Sequence, residues 1–319
     1  MFSSLIKRII LKRSSVEANF SRLTVDIVKS GQSRRGLGII LSVEFPEAHI
    51  LSQQMDRELT GKQVTVYTLQ HYTKLQNLGF INMYLSDFER LCSRTVETVI
   101  SRGNVIQVKF SDAMNLILAP EYGGIILFHK KEHPISEKFH LKLGFTDQTA
   151  LTVTLTGMGI IHALADSELS HSYVYQRDFS QTASPMDENF TLDSFSKALL
   201  GKNVNLKTML VGKDAVVTGL GNSTFQDVTY RAGIHPKRKA SELTEAQRRK
   251  LYDAIRLVIE QRLQLGGKIQ FIDFYGRRGG YEPAMGSGMA GKICKVCGAE
   301  VVKLNLSGGQ CCICPGCQK

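Results

Sequence analysis

Apolar residues recur at helical spacing from about residue 45, and this pattern predicts the first regular element of the chain. Pro46 suits the first turn of a helix, and Gly61 suits its end. The apolar face between them consists of Ala48, Leu51, Met55 and Leu59. A second helix is predicted from the capping box at Ser86–Glu89 to near Gly103, with an apolar face of Phe88, Leu91, Cys92, Val96 and Val99.

Short alternating or β-branched runs predict strands in the same half of the chain. One run covers residues 63–69. Five more cover residues 105–110, 115–118, 124–128, 139–145 and 151–155. Turn residues separate the runs, which is typical of a β-sandwich or barrel flanked by helices.

The second half of the chain has a helical pattern. Helices are predicted at residues 192–200 and 224–231, and Thr244 with Gln247 can cap a longer one that ends at Gly266-Gly267. The long helix would bury Leu251, Ile255, Val258, Ile259 and Leu263. Residues 166–190 are rich in Ser, Gln and Asp and are predicted to be a linker.

Composition excludes two classes of protein. The 319 residues are 43% hydrophobic and 22% charged, which rules out wholesale disorder. No apolar run approaches the roughly 20 residues of a membrane-spanning helix. The formal charge of +11 is uneven, because residues 1–41 contain eight cations and two anions. The excess fits a polyanionic partner without requiring one.

The basic segment 1–41 has two interpretations. It resembles an organellar transit peptide, being basic and free of acidic residues until Glu17. We favour the other interpretation, in which it is a leader that the mature protein lacks. We then expect a cytoplasmic, nucleoid-associated protein, whereas a functional leader implies import into an organelle.

Six of the seven cysteines lie in the last 26 residues, and four of them have the spacing of a zinc ribbon. Cys294 and Cys297 form one C-x-x-C pair, and Cys314 and Cys317 form the other, with sixteen residues between the pairs. Two such pairs predict one structural Zn²⁺ with four thiolate ligands, rather than two redox dithiols. Cys311 and Cys312 are surplus, although either can compete as a ligand.

Three segments, in order, resemble the formamidopyrimidine-DNA glycosylase/endonuclease VIII family. The first is Val43-Glu44-Phe45-Pro46-Glu47, which is similar to the family's N-terminus. The second is Gly219-Leu220-Gly221-Asn222 followed by Ala232-Gly233-Ile234-His235-Pro236, which looks like its helix–two-turn–helix motif. The third is the cysteine ribbon. The resemblance covers about 278 residues, from Ser42 to the end.

The resemblance implies an α+β multi-domain fold with a DNA cleft. The N-terminal β-sandwich flanked by helices would occupy residues 42–165, and the helix–two-turn–helix DNA-binding domain would occupy residues 191–268. Residues 269–319 would form a loop and the zinc ribbon.

The resemblance also implies base excision and strand nicking by β-elimination through a Schiff base. The family's nucleophile is the amine of its first mature residue, which corresponds to Val43, and Glu44 corresponds to its proton-shuttling glutamate. Glu47 matches a second family glutamate that can influence the first. Both acids can instead simply complement the helix dipole. Val43 is internal here, and an amide nitrogen is not a nucleophile, so catalysis needs a different start or removal of the leader.

Two family cations are missing from the phosphate-binding positions. Met114 stands where the family has a lysine, and Gly309 stands where the zinc hairpin has an arginine. Asn222 is retained, and the resemblance implies that it contacts a phosphate. Arg277 and Arg278, on the Gly/Arg-rich loop, are candidates to replace the lost cations.

Three functions remain open from the sequence. The first is a DNA repair glycosylase and lyase that acts, as a monomer, on double-stranded DNA with oxidised bases or abasic sites. The second is a weakened or inactive protein on the same fold that binds damaged DNA. The third is a zinc-ribbon interaction module with little DNA contact. None of them involves a membrane.

Overall fold

The computed structural model describes residues 42–179, 183–212, 215–307 and 309–319. The leader interpretation for residues 1–41 therefore lies outside the described residues. None of the helices described is both long and apolar enough to cross a membrane.

The first half is a β-sandwich preceded by one helix, as the sequence pattern predicts. Helix α1 (Phe45–Leu59) buries the expected face. One antiparallel sheet has the order β1-β6-β7-β5 and the other the order β2-β3-β4-β8. The strands are β1 (Val64–Leu69), β2 (Val96–Arg102), β3 (Val105–Phe110), β4 (Met114–Ala119), β5 (Gly124–His129), β6 (Leu141–Phe145), β7 (Ala150–Leu155) and β8 (Ile160–Ala165).

The predicted second helix is wrong. Residues Leu85–Leu91 form a 3-10 helix, and β2 follows it as a strand. Ser93 adopts a φ of 63°, which ends the helical path. The run after it is β-branched, and β2 pairs with β3 from Val96 to Arg102, so cross-strand pairing outweighs the helical spacing.

Part of the segment predicted to be a linker has regular secondary structure. It contains a 3-10 helix (Asp166–His171) and helix α3 (Tyr173–Phe179), whereas a short helix α2 (Thr73–Asn77) lies earlier in the chain. Burial of Val174 and Asp178 against the sandwich and the second half explains why this polar stretch is ordered.

Among the described residues of the second half there are four α-helices and a short 3-10 helix (Ala240–Glu242). The α-helices are α4 (Leu192–Leu199), α5 (Leu206–Val211), α6 (Asn222–Ala232) and α7 (Glu245–Gln264). The cap of α7 is confirmed, because the Thr244 hydroxyl accepts a hydrogen bond from the Gln247 amide at 3.3 Å. Helix α6 ends at Gly233, which has a φ of 68°.

The C-terminal ribbon is a two-stranded hairpin of β9 (Val302–Leu306) and β10 (Gly309–Ile313). It packs on α6, since the Gln226 side chain accepts from the Cys312 amide at 2.7 Å. The buried apolar side chains form three clusters, in the sandwich, the helical half and the ribbon. The domain boundaries given above remain a prediction.

Candidate functional site

Glu44 joins the start of α1 to the start of α6. Its carboxylate accepts hydrogen bonds from the backbone amides of Ser223 at 2.9 Å and Thr224 at 3.0 Å, and from the Thr224 hydroxyl. These amides belong to the first turn of α6, whose N-cap residue is Gly221 and has no side chain. Glu44 therefore caps a helix from the other half of the molecule.

Arg262 connects Glu44 to Glu47. Its Nη1 lies 2.9 Å from Glu44 Oε2, and its Nε and Nη2 donate to the Glu47 carboxylate at 3.0 and 2.6 Å. All three side chains are buried. Glu47 also accepts from the backbone amides of Glu44 and Lys268. The two predicted acids thus belong to one buried ion-pair network rather than to the surface of a helix.

Two glycines of the Gly219–Asn222 segment allow this close approach. A Cβ on Gly221 would lie 2.3 Å from Glu44 Oε1. Gly219 has a φ of +76° and lies against Gly103 and Phe45, and its carbonyl accepts from the Phe45 amide at 2.9 Å. The motif therefore has a structural explanation in the contact between the two halves.

The surroundings of Glu44 favour its ionised form. Burial alone raises the pKa of this carboxyl, but the cations of Lys268 and Arg262 and hydrogen bonds from Thr224 and Arg262 lower it from 4.5 to about 2. In this arrangement Glu44 is a hydrogen-bond acceptor and a fixed negative charge.

Val43 directly precedes Glu44. It is buried, and its nitrogen donates to the Pro120 carbonyl oxygen at 3.3 Å, in the turn between β4 and β5. Ser42, which precedes it, accepts a hydrogen bond from Lys268 Nζ at 2.8 Å. The structure thus brings Val43, Glu44 and Glu47 together, as the resemblance implies.

The predicted DNA contacts lie in two places. Asn222, the first residue of α6, donates to the Gln310 carbonyl of the hairpin at 3.0 Å, so it joins helix and ribbon. Arg277 and Arg278 are exposed on the loop after α7, where the Arg277 guanidinium lies 4.8 Å from the Tyr275 ring centroid.

The two missing family cations have different structural outcomes. Met114 is buried at the start of β4 and pairs with Phe110, so it contributes to the core. At Gly309, a Cβ would lie 2.9 Å from Lys207 Nζ. Lys207 also donates to the Leu306 carbonyl at 2.9 Å. A cation from α5 therefore occupies the space beside the hairpin position that lacks one.

The four cysteines with ribbon spacing converge. The sulfurs of Cys294, Cys297, Cys314 and Cys317 all lie within 4.8 Å of one another. Sulfurs ~2.3 Å from a tetrahedral zinc ion are about 3.8 Å apart, so this cluster fits a structural zinc site. Cys311 and Cys312 are buried elsewhere in the hairpin and lie outside the cluster.

Sequence reasoning missed Arg262 and Lys268. Arg262 lies four residues after Val258 and seven after Ile255, on the apolar face of α7, and a charge at such a position is a usable signal of a buried ion pair. Lys268 directly follows the helix-ending glycines and has no comparable signal.

Comparison with known proteins connects this geometry to one family. Residues 182–273 match the family model "Formamidopyrimidine-DNA glycosylase H2TH domain". The formamidopyrimidine-DNA glycosylases of Lactococcus lactis subsp. lactis and Cytobacillus firmus are 24% and 25% identical to this chain, and each match covers 86% of this chain and 99% of the relative. Over most of its length the chain is therefore similar to formamidopyrimidine-DNA glycosylases, and the family model matches its helical part.

Solved structures show the same fold. The complex between the Lactococcus lactis Fpg and an abasic site containing DNA has a TM-score of 0.74 at 21% identity, over 86% of this chain and 99% of that one. MutM in complex with carbocyclic 8-oxo-G containing DNA has a TM-score of 0.74 at 22% identity, with the same coverage. This chain therefore shares the overall fold of these proteins.

Proposed function

We propose that this protein is a DNA repair glycosylase with lyase activity, which excises oxidised bases and nicks abasic sites through a Schiff base. The observation that carries the proposal is the placement of Val43 and Glu44 at the contact between the sandwich and the helix–two-turn–helix segment. The Lactococcus lactis relative named formamidopyrimidine-DNA glycosylase aligns with 86% of this chain and 99% of its own length.

The proposed nucleophile is a terminal amine at Val43. A neutral α-amine can attack the sugar C1′ of an extruded nucleotide and displace the base, which leaves with a proton. Cleavage of the C1′–O4′ bond then opens the sugar ring, O4′ becomes a hydroxyl, and C1′ becomes the carbon of an imine. The attacking nitrogen needs a chain that begins at or beside Val43, because its lone pair is otherwise delocalised in a peptide bond.

Glu44 supports this reaction with charge. A carboxylate that is ionised over the physiological pH range stabilises the cationic sugar and iminium that form next to it. A proton-shuttling role for Glu44 requires its contacts with Arg262 and Thr224 to loosen first, since these donors occupy Oε2. Glu47 acts through Arg262, which it holds against Glu44.

The proposed partner is double-stranded DNA with damaged or abasic sites. Asn222, Arg277 and Arg278 would contact its backbone, and Lys207 is a further candidate beside the hairpin. The zinc ion would be structural, since four thiolates leave no position for water. We propose a monomer, and a cytoplasmic, nucleoid-associated location for a chain without the leader; import of the leader would instead place it in an organelle.

A second candidate is a protein that binds damaged DNA without cutting it. Met114 favours it, because the side chain at this phosphate-contacting family position is apolar and buried. The proposals separate on whether a covalent bond to DNA forms.

Borohydride trapping tests the proposed function. Chains that begin at Met1, Ser42 and Val43 are each mixed with duplex DNA that carries one abasic site, and borohydride reduces any imine to a stable adduct. We expect an adduct from a chain with a freed amine and none from the Met1 chain. Absence of an adduct from all three, with duplex binding intact, would establish the second candidate. If every duplex binds poorly and binding does not depend on salt, both DNA-binding functions are excluded and the zinc-ribbon interaction module remains.

A further inference from the structure

A lysine is buried directly beside the expected nucleophile. Lys268 follows the glycines that end α7 and is 3% exposed. Its Nζ donates to the hydroxyl of Ser42, and its backbone amide donates to Glu47 Oε1 at 3.1 Å. The lysine charge therefore lies at the residue that immediately precedes Val43.

The charges around this lysine form a balanced set of four. The charged groups that act on Lys268 are Glu44, Glu47 and Arg262. Burial lowers the pKa of Lys268, and the carboxylates of Glu44 and Glu47 oppose this shift. With Lys268 protonated, two carboxylates and two cations leave no net charge in this buried region. Such a balance matters because a buried charge without a partner is costly.

A protonated amine at Val43 would add a fifth, positive charge. Glu44 and Glu47 are already paired with Arg262. The turn packed against Val43 carries Glu121, next to Pro120, and this carboxylate lies 2.6 Å from Arg177 Nη1. The start of α6 presents the positive end of its dipole to Glu44. Each carboxylate near Val43 thus already has a cation.

We propose that Lys268 is a positioning residue that keeps the terminal amine of a chain beginning at Val43 neutral and therefore nucleophilic. The inference rests on the proposed function. Lys268 forms no bond in the reaction: the terminal nitrogen attacks the aldehyde carbon of an abasic site, water leaves, and an imine forms. A nearby cation disfavours protonation of that nitrogen, and so lowers the pKa of the amine below the ~7.7–8.0 of an ordinary α-amine.

The test compares chains 43–319 released from a cleavable fusion, so that Val43 carries the terminal amine. The match to the Lactococcus lactis relative covers 86% of this chain and 99% of that relative, so a chain of about this length is a natural one to test. The variants are wild type, K268M, K268R and, as a matched control, K250M on the exposed side of α7. Circular dichroism verifies that each is folded.

The first measurement is competitive acetylation of the Val43 amine between pH 5 and 9, read by mass spectrometry of the N-terminal peptide. Loss of the lysine charge in K268M should raise the midpoint of labelling by about one pH unit, which is about a tenfold slower reaction well below the midpoint. K268R and K250M should keep the wild-type midpoint. An unchanged midpoint in K268M overturns the inference.

The second measurement is borohydride trapping with abasic-site duplex over the same pH range. We expect the K268M profile to shift to higher pH with the labelling midpoint, and K268R to restore it. Two results would overturn the inference and leave the proposed function intact. One is an adduct on Lys268 itself, and the other is a pH profile of trapping that is the same in K268M as in wild type. No adduct from any chain contradicts the proposed function, while the labelling result still decides the role of Lys268.

Discussion

The Oε1 atom of Glu44 lies where the side chain of residue 221 would begin, because a Cβ on Gly221 would be only 2.3 Å from it. The Glu44 side chain thus contacts the first turn of α6 at a separation that only a glycine at position 221 permits. The contact joins a carboxylate to backbone amides, so it depends both on the charge of Glu44 and on the absence of a side chain at residue 221.

Gly221→Ala should push Glu44 away from the Ser223 and Thr224 amides. We expect a loss of about 1–3 kcal/mol in the free energy of unfolding, as for other overpacked sites, together with loss of trapping activity. Urea denaturation measures the first effect. Gly288→Ala is the matched control, because a Cβ there meets no atom within 4 Å and should leave both measurements unchanged. Equal behaviour of the two variants would contradict the contact.

Arg262→Met should destabilise the protein severely. It leaves the Glu44 and Glu47 carboxylates buried without their shared guanidinium, a change that typically costs about 3–5 kcal/mol. Thermal and urea unfolding measure it. Arg249→Met, at an exposed position on the same helix, should cost little. A small loss for both would mean that the network contributes little to stability.

Glu44 should make the free energy of unfolding depend on pH in the acidic range. Its pKa of about 2 in the folded protein lies below the ordinary 4.5 of a glutamate, so its contribution to stability is complete above pH 4.5 and is lost as pH falls toward 2. The stability difference between wild type and Glu44→Gln should therefore shrink over that window, by on the order of 3 kcal/mol. Urea unfolding at successive pH values measures this difference. Glu97→Gln, at an exposed position, should show no such trend; a pH-independent difference for Glu44→Gln would refute the assignment.

The ribbon should contain one zinc ion per chain. Cys297→Ser should lose it, whereas Cys311→Ser should retain it, because Cys311 lies outside the four-sulfur cluster. Elemental analysis by mass spectrometry measures the metal content. Chelation should release the hairpin from α6 and weaken DNA binding, since metal binding supplies the folding free energy of small sites of this kind. Retention of zinc by Cys297→Ser would require a different ligand set.

Much of the fold could be predicted from local patterns. Six of the eight sandwich strands and the cap of α7 depend on neighbouring residues, and the local pattern predicted them; β2 and β8 were missed. The stretch from Leu85 to Arg102 was wrongly predicted to be a helix, because Val96 and Val99 are apolar at a spacing that fits a helix. Their strand partners lie in β3, and the spacing of apolar residues carries no information about pairing between strands.

The candidate site could be predicted only in part. Val43, Glu44 and the cysteines belong to compact motifs, so a single sequence contains their signal. Arg262 and Lys268 reach the same site from more than 200 residues away, and only the packing of the two halves brings them there. The position of Lys207 beside the hairpin is likewise a property of tertiary structure.

The junction at Glu44 also bears on how a lesion would be found. The helix that presents the expected nucleophile and the helix that begins the DNA-binding turn are locked together at their first residues. Hinge motion between the two halves would break these hydrogen bonds, so the two halves should meet every duplex in nearly the same arrangement. Most of the distortion needed to extrude a nucleotide then falls on the nucleic acid, and base pairs weakened by damage yield first.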